Sequence, residues 1–323
     1  MVRTNNILIT GGCGFVGQHL LEYYKKKSYQ IYSISRNLPS STLRCNFPEV
    51  IFLKCDLANI KQVEKALDTR TFSFVYHLAA QSIPSIAEID ASETFKSNVL
   101  ATANLFWVLS KQHSKAKILF SSSNHVYGDT FKRENRVTEG AFPRPTSSYA
   151  LSKLMAEKIC LEYVVKGLLD IRIARSFNHF GPGQNQNLAF SNWISQILDC
   201  ERDARQKKIN VLETGELNVK RDFLYVSDVI KAYELILKKG KCGEIYNVCS
   251  SKEISLEKYM YCLLKASVIP ASHFKIIQKN SRLRKNDFPV ISGNNTKLKK
   301  LGWNQKYDTL QSIADLLKAS RPH

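Results

Sequence analysis

The segment Asn6 to Gly17, NILITGGCGFVG, constrains the fold more than any other. Ile7, Leu8 and Ile9 form a short apolar run, the pattern of a central parallel strand covered on both faces. Gly11, Gly14 and Gly17 follow at intervals of three. In such a strand–turn–helix the first glycine permits the tight turn, the second lets backbone approach an anion, and the third lets the helix pack on the strand. The predicted helix runs from Val16 to Lys26, with Phe15 and Val16 at its entrance. Its free N–H groups and positive dipole end point at a phosphate. Gly12, Gly14 and Gly17 also satisfy GxGxxG, so spacing alone leaves the subtype open. An ordinary glycine turn is the alternative. The position between a strand and a helix favours a dinucleotide diphosphate.

The rest of the first half alternates strand and helix patterns, which predicts an α/β fold with a doubly wound parallel sheet of Rossmann type. Further strands are expected at Gln30–Ile34, Val50–Leu53, Phe72–Leu78, Lys117–Ser121 and Leu169–Ala174, with long helices near Ala91–Gln112 and Ser148–Val165. Asn178-His-Phe-Gly-Pro-Gly-Gln184 breaks the alternation. Residues 1–175 therefore read as the dinucleotide lobe, with 221–237 returning to it, and residues 176–323 as a smaller C-terminal α/β lobe for substrate.

With 44% hydrophobic residues in 323, the chain can bury a large core. It shows no signal-peptide pattern and no apolar run of membrane-spanning length. Eight cysteines stand singly (Cys13, Cys45, Cys55, Cys160, Cys200, Cys242, Cys249, Cys262), which fits reduced residues in the cytoplasm and not a disulfide or zinc framework. The net charge of +19 raises nucleic acid or an anionic surface as partners. The lysines are scattered without an arginine-rich stripe, so a solvated basic surface is the better reading, and neither nucleic acid nor membrane is expected.

Tyr149-Ala-Leu-Ser-Lys153 places a phenol and an ammonium on one helix face. A neighbouring cation should lower the phenol from its ordinary value of about 10, making it a usable proton donor or acceptor. An exposed Tyr/Lys pair would look the same. Ser121-Ser-Ser-Asn-His-Val-Tyr-Gly128 adds hydroxyls at the carboxyl end of a strand, where open α/β sheets bind ligands.

These glycines, the Ser123 strand end and the Tyr149/Lys153 pair resemble the extended short-chain dehydrogenase/reductase family, in its nucleotide-sugar branch, over essentially the whole chain. Arg175–Gln184, Lys220-Arg-Asp-Phe223, Gly243–Cys249, Arg282–Asp287 and Gly293–Leu298 are similar to the GDP-4-keto-6-deoxy-mannose reductases (GDP-rhamnose synthases). The resemblance implies that Ser123 and Tyr149 bond the sugar carbonyl and that Lys153 holds the nicotinamide ribose. It implies nucleotide-sugar contacts from Asn178 and Arg221, and a diphosphate contact from Arg284. Lys285 stands where the family often has proline. Arg221 and Arg284 read equally well as ion-pair partners of Asp222 and Asp287. Asp56 and Leu57 are expected at the adenine, and Ala79, Ala80 and Gln81 along the cofactor. Asn98 orients the helix and strand ends or serves as a buried cap. The resemblance also implies a homodimer through the two long helices.

Two substitutions narrow the reaction. The related dehydratases carry acids after the Ser123 position; here Asn124 and His125 stand there, lining the substrate site. Asparagine cannot act as a carboxylic acid does, so dehydration is disfavoured. At the end of the second strand Ser35 replaces the acid that accepts the ribose hydroxyls of NAD, and Arg36 follows it. NADPH is therefore expected, with NADH possible. The predicted activity is NADPH-dependent reduction of the C4 ketone of a nucleotide-linked 4-keto-6-deoxy sugar. The alternatives are an NAD-dependent nucleotide-sugar 4-epimerase, a reductase of another 4-keto sugar (CDP-, dTDP- or UDP-linked, or a GDP-heptose), and a non-catalytic dinucleotide-binding scaffold.

Overall fold

The computed structural model describes residues 5–202, 209–282 and 287–321. Seven strands form one parallel sheet. They are β1 Asn6–Thr10, β2 Gln30–Ser35, β3 Ile51–Lys54, β4 Phe74–His77, β5 Lys117–Ser123, β6 Asp170–Ser176 and, further along the chain, Ile245–Val248. Helices α1 Phe15–Lys25, α2 Ser41–Asn46, α3 Ile60–Leu67, α4 Pro84–Ile89, α5 Ala91–Phe95, α6 Ala101–Lys111 and α7 Ser148–Val165 connect them. Alternation along β1 builds a core on each face. Ile7 and Ile9 join the α1 side with Leu20, Leu21 and Tyr24; Leu8 joins the α6–α7 side with Leu105, Phe106 and Cys160. β2 and β4 flank β1 on opposite edges, so the crossover between them opens a crevice at the carboxyl end of β1.

The smaller lobe contains β7 Asn178–Phe180, α8 Ala189–Arg202, β8 Asn210–Thr214, β9 Lys220–Arg221 and β10 Phe223–Tyr225. Beyond α9 Val226–Lys239 and β11 Ile245–Val248 come β12 Ile254–Ser255, α10 Leu256–Ala266, β13 Phe274–Gln278, β14 Val290–Ile291, α11 Thr296–Lys300, whose Leu298 joins the main-sheet core, and α12 Thr309–Ala319. Phe180, Phe190, Trp193, Tyr259, Leu263, Ile313 and Leu317 form the core of the smaller lobe. Asp222 clamps this region: its carboxylate accepts from Ser250 N and Oγ, Ser251 N and Gly293 N. Burial pushes that group up to about 7 against the pull of these donors.

Two expectations need amendment. Ile245–Val248, assigned by sequence to the smaller lobe, is the seventh strand of the main sheet and pairs parallel with β6. The helix expected over Ala91–Gln112 is interrupted by a π turn at Lys96–Leu100 that carries Asn98. Tyr233 of α9, in the segment expected to return to the first lobe, bonds Ser121 and Ser176 at the ends of β5 and β6. Among the described residues no helix is long and apolar enough to cross a membrane.

The turn after β1 depends on close approach. Gly11 has φ +72°, and a Cβ there would meet the Ala79 backbone at 2.9 Å. A Cβ on Gly17 would meet Gly12 Cα at 2.6 Å and press on the Gly11 carbonyl oxygen. Gly17→Ala should therefore cost about 1–3 kcal/mol, as overpacking does. Denaturant unfolding measures this; a variant as stable as the parent would contradict the packing described.

Candidate active site

The crevice begins at the glycine turn. Gly11 N donates to Ile34 O at 2.8 Å and Gly14 N to Gly11 O at 3.0 Å, which folds the loop under the start of α1. Gly14 caps that helix without a side chain, and Phe15 and Val16 form its first turn. The opposite wall is the segment after β4. Thr10 Oγ1 bonds Ala79 N at 3.2 Å and His77 Nδ1 at 2.7 Å, and His77 Nε2 reaches Thr102 Oγ1 at 2.9 Å. Burial, then the charge of Lys153, pushes His77 down to about 3. It therefore works as a neutral hydrogen-bond bridge that sets the height of Ala79 and Ala80.

Asn98 clips the next residue. Its Oδ1 accepts from Gln81 N at 2.7 Å, and its Nδ2 donates to Gln81 O at 3.1 Å and Ser152 Oγ at 2.9 Å. Because Ser152 Oγ donates to Tyr149 O, one asparagine joins the cofactor wall to α7. The π turn puts it there, a use such single-turn bulges often have.

α7 is capped by Ser147, whose side chain accepts from Ala150 N, and so presents Tyr149 in its first turn. The Tyr149 phenol is buried and hydrogen-bonds Ser123 at the end of β5. Ser123 Oγ also accepts from His125 N at 3.2 Å, and the His125 ring stands edge-on to Tyr149 at 5.5 Å. Asn124 is buried beside them, and its Nδ2 has no hydrogen-bond partner among the described residues. Lys153 Nζ donates to Ser121 O at 2.7 Å.

The electrostatics differ from the sequence expectation. Burial pushes Tyr149 up to about 12, opposed only in part by the Ser123 bond. Burial also pushes Lys153 down to about 8. Desolvation, and not the ammonium one turn along α7, dominates the phenol.

After β3, Asp56 Oδ1 accepts from Ala58 N and the Leu57 carbonyl accepts from Asn104 Nδ2. Ser35 Oγ turns back to Asn37 O at 2.6 Å, leaving no acid at the strand end. Arg36 Nη1 pairs with Glu93 Oε1 at 2.7 Å, a contact the sequence reading did not include. Nor did it find the buried Glu157, which accepts from Ser122 and, through both oxygens, from Arg175. The i, i+4 step from Lys153 to Glu157 was the available signal.

On the substrate side, Asn178 lies on β7 beside Phe223. Arg221 donates to the Lys220 and Phe288 carbonyls at 2.8 Å and to Asp287 Oδ1 at 2.5 Å. Its ion pair is thus with Asp287, while Asp222 is committed to the Ser250 loop. Arg284 and Lys285 lie outside the described residues. No cluster of metal-ligating side chains occurs among the described residues.

A protonated phenol, a hydroxyl and a buried ammonium beside a diphosphate cradle can move a proton on a carbon–oxygen group while a hydride moves on its carbon. That is the work of an NAD(P)-dependent oxidoreductase of the short-chain type. The chain belongs to the NAD dependent epimerase/dehydratase family, whose model matches residues 7–249. It is 30% identical to the GDP-6-deoxy-D-mannose reductase of Pseudomonas aeruginosa, covering 97% of this chain and 96% of that one. It is also 30% identical to the dTDP-D-glucose 4,6-dehydratase of Bos taurus, over 77% of this chain and 69% of that one. The solved structure of RMD from Pseudomonas aeruginosa complexed with NADPH superposes with a TM-score of 0.82 at 29% identity, covering 98% and 97% of the two chains.

The Lys153 shift has a kinetic consequence. If the ammonium is the working form, kcat/KM should fall as pH rises through about 8, where the buried amine loses its proton. A profile without an alkaline limb until the ordinary lysine range of about 10 would remove Lys153 from this role.

Proposed function

We propose that this enzyme reduces the C4 ketone of a nucleotide-linked 4-keto-6-deoxy sugar, of the GDP-4-keto-6-deoxy-mannose type, with NADPH. The observation that carries this reading is the placement of Tyr149, buried beside the end of β5, with Ser123 and Asn124 and no carboxylic acid next to it. A phenol pushed up to about 12 by burial keeps its proton at neutral pH and can release it to a much stronger base. An alkoxide forming at a reduced ketone is such a base. The name of the Pseudomonas aeruginosa relative supports the same substrate class.

The residues fit the cofactor. Gly11 and Gly17 pack against the Ala79 and Gly12 backbone, which keeps the turn tight below the start of α1, and Arg36 supplies a forked donor for a 2′-phosphate. When bound, NADPH supplies the hydride. The chain's own groups do the rest: Ser123 donates to the ketone oxygen, Tyr149 protonates it, and Lys153 offsets the charge Tyr149 acquires and holds the nicotinamide ribose. Asn178, Arg221 and Arg284 are assigned to the nucleotide sugar. Asn124 and His125 provide hydrogen bonding at the sugar but no carboxylic acid, which disfavours loss of water.

Incubating the enzyme with GDP-4-keto-6-deoxy-mannose while following NADPH absorbance tests the proposal. Tyr149→Phe should lower turnover about 10²–10⁴-fold, the usual worth of a positioned proton donor, and leave NADPH affinity essentially unchanged. Retained reduction by that variant, or no NADPH oxidation by the parent with any nucleotide 4-keto sugar, would refute it.

The eight thiols are free, in keeping with a cytoplasmic setting. Leu100 and Trp107 near and on α6, with Leu151 and Met155 on α7, are exposed at helical spacing. We assign this apolar face to a homodimer contact. Trp107→Asp combined with Met155→Glu should give a monomer by sedimentation; an unchanged mass, or a monomeric parent, would reject the assignment.

A further inference from the structure

We infer that Glu93 sets the balance between NADPH and NADH by competing for Arg36; the inference rests on the dinucleotide site proposed above and concerns its 2′ position. Arg36 follows β2, whereas Glu93 lies in α5, beyond β4. Since β2 and β4 flank β1 on opposite edges, the 2.7 Å ion pair spans the crevice above the glycine turn. Glu93 Oε2 is also 3.7 Å from Lys96 Nζ, so one carboxylate engages two cations on the same rim.

The three groups discriminate between the two cofactors by charge. A 2′-phosphate is a dianion that matches Arg36 and Lys96 and is repelled by Glu93. A 2′-hydroxyl is neutral and donates, so a carboxylate suits it, the role an acid at the end of β2 fills when NAD is preferred. Here Ser35 occupies that strand position and its hydroxyl is turned to Asn37 O. Glu93 brings the acid back from the other wall. Its hold is breakable, because the Arg36 and Glu93 side chains are 60% and 41% exposed. A surface pair of this kind is worth at most about 1 kcal/mol, or about fivefold in affinity.

The experiment is calorimetric titration of the whole protein with 2′,5′-ADP and with 5′-ADP, which reports on the adenosine half without turnover. Glu93→Gln should tighten 2′,5′-ADP about two- to fivefold and leave 5′-ADP unchanged or weaker, raising the ratio between them. In an Arg36→Ala background most of that gain should vanish, since the competition is for Arg36. Equal changes for both nucleotides, weaker 2′,5′-ADP, or a gain that fully survives Arg36→Ala would overturn the inference. The NADPH assignment itself is read separately: Arg36→Ala alone should weaken 2′,5′-ADP, and a parent that binds both nucleotides equally would overturn that assignment.

Discussion

Lys153 carries an ammonium into a position only 4% exposed, and much of the site is arranged around satisfying it. Taking such a charge out of water is costly unless it is bonded and offset. Its Nζ donates to Ser121 O and lies 5.1 Å from the centre of the Phe120 ring. The same stretch of β5 is held from behind by α9, where the Tyr233 hydroxyl bonds Ser121 Oγ and Ser176 Oγ. One turn further along α7, Glu157 adds a negative field that favours the charged amine. The Lys153 bond thus ties α7 to β5 beside the apolar packing of Ala156 and Cys160 with Ile118 and Phe120.

Glu157 is itself part of a buried polar chain that runs from α7 through β6 and β11. It takes Arg175 through both oxygens, at 2.9 and 2.7 Å, and Ser122 Oγ at 2.5 Å. The Arg175 guanidinium stacks 4.7 Å from the Tyr127 ring centre, and the Tyr127 hydroxyl donates to Asn247 Oδ1 at 2.7 Å. Asn247 Nδ2 then reaches the Val137 and Asn294 carbonyls. Networks of this kind rigidify when their members are paired, and breaking one member strands the others. Residue 294, close to the Gly293 contact of the Asp222 clamp, is thereby tied to the strand that ends in Ser123. The segments around Val137 and Asn294 are joined to β5 through hydrogen bonds and not through apolar packing alone.

What the sequence revealed was local. Glycines three apart, an apolar strand before them and the helix over Ser148–Val165 depend on neighbours within a turn, and the structure has them at those positions. The seventh strand was missed because Ile-Tyr-Asn-Val is short and follows a break in the alternation; its partner β6 lies about seventy residues earlier in the chain, beyond the reach of any periodicity. The π turn leaves composition unchanged and so leaves no trace. Arg36 and Glu93 are far apart in sequence, and each alone reads as a solvated charge. The sign of the Tyr149 shift went the other way for the same reason. The i, i+4 ammonium is visible in the sequence, whereas the burial that dominates it comes from the whole lobe.

That reversal bears on why one frame serves reduction, epimerisation and dehydration among relatives of this chain. Reduction of a ketone and oxidation of an alcohol move the same hydride and proton in opposite directions, so they differ in where the proton starts. A phenol that desolvation keeps protonated is charged for delivery, and a reduction consumes one proton for each hydride it receives. Dehydration needs, in addition, a group that takes a proton from carbon and hands one to a departing hydroxyl. At Asn124 the amide can do neither, and its buried nitrogen is left able only to donate a hydrogen bond. The amide at Asn124 and the burial of Tyr149 thus both suit the reduction proposed above better than loss of water.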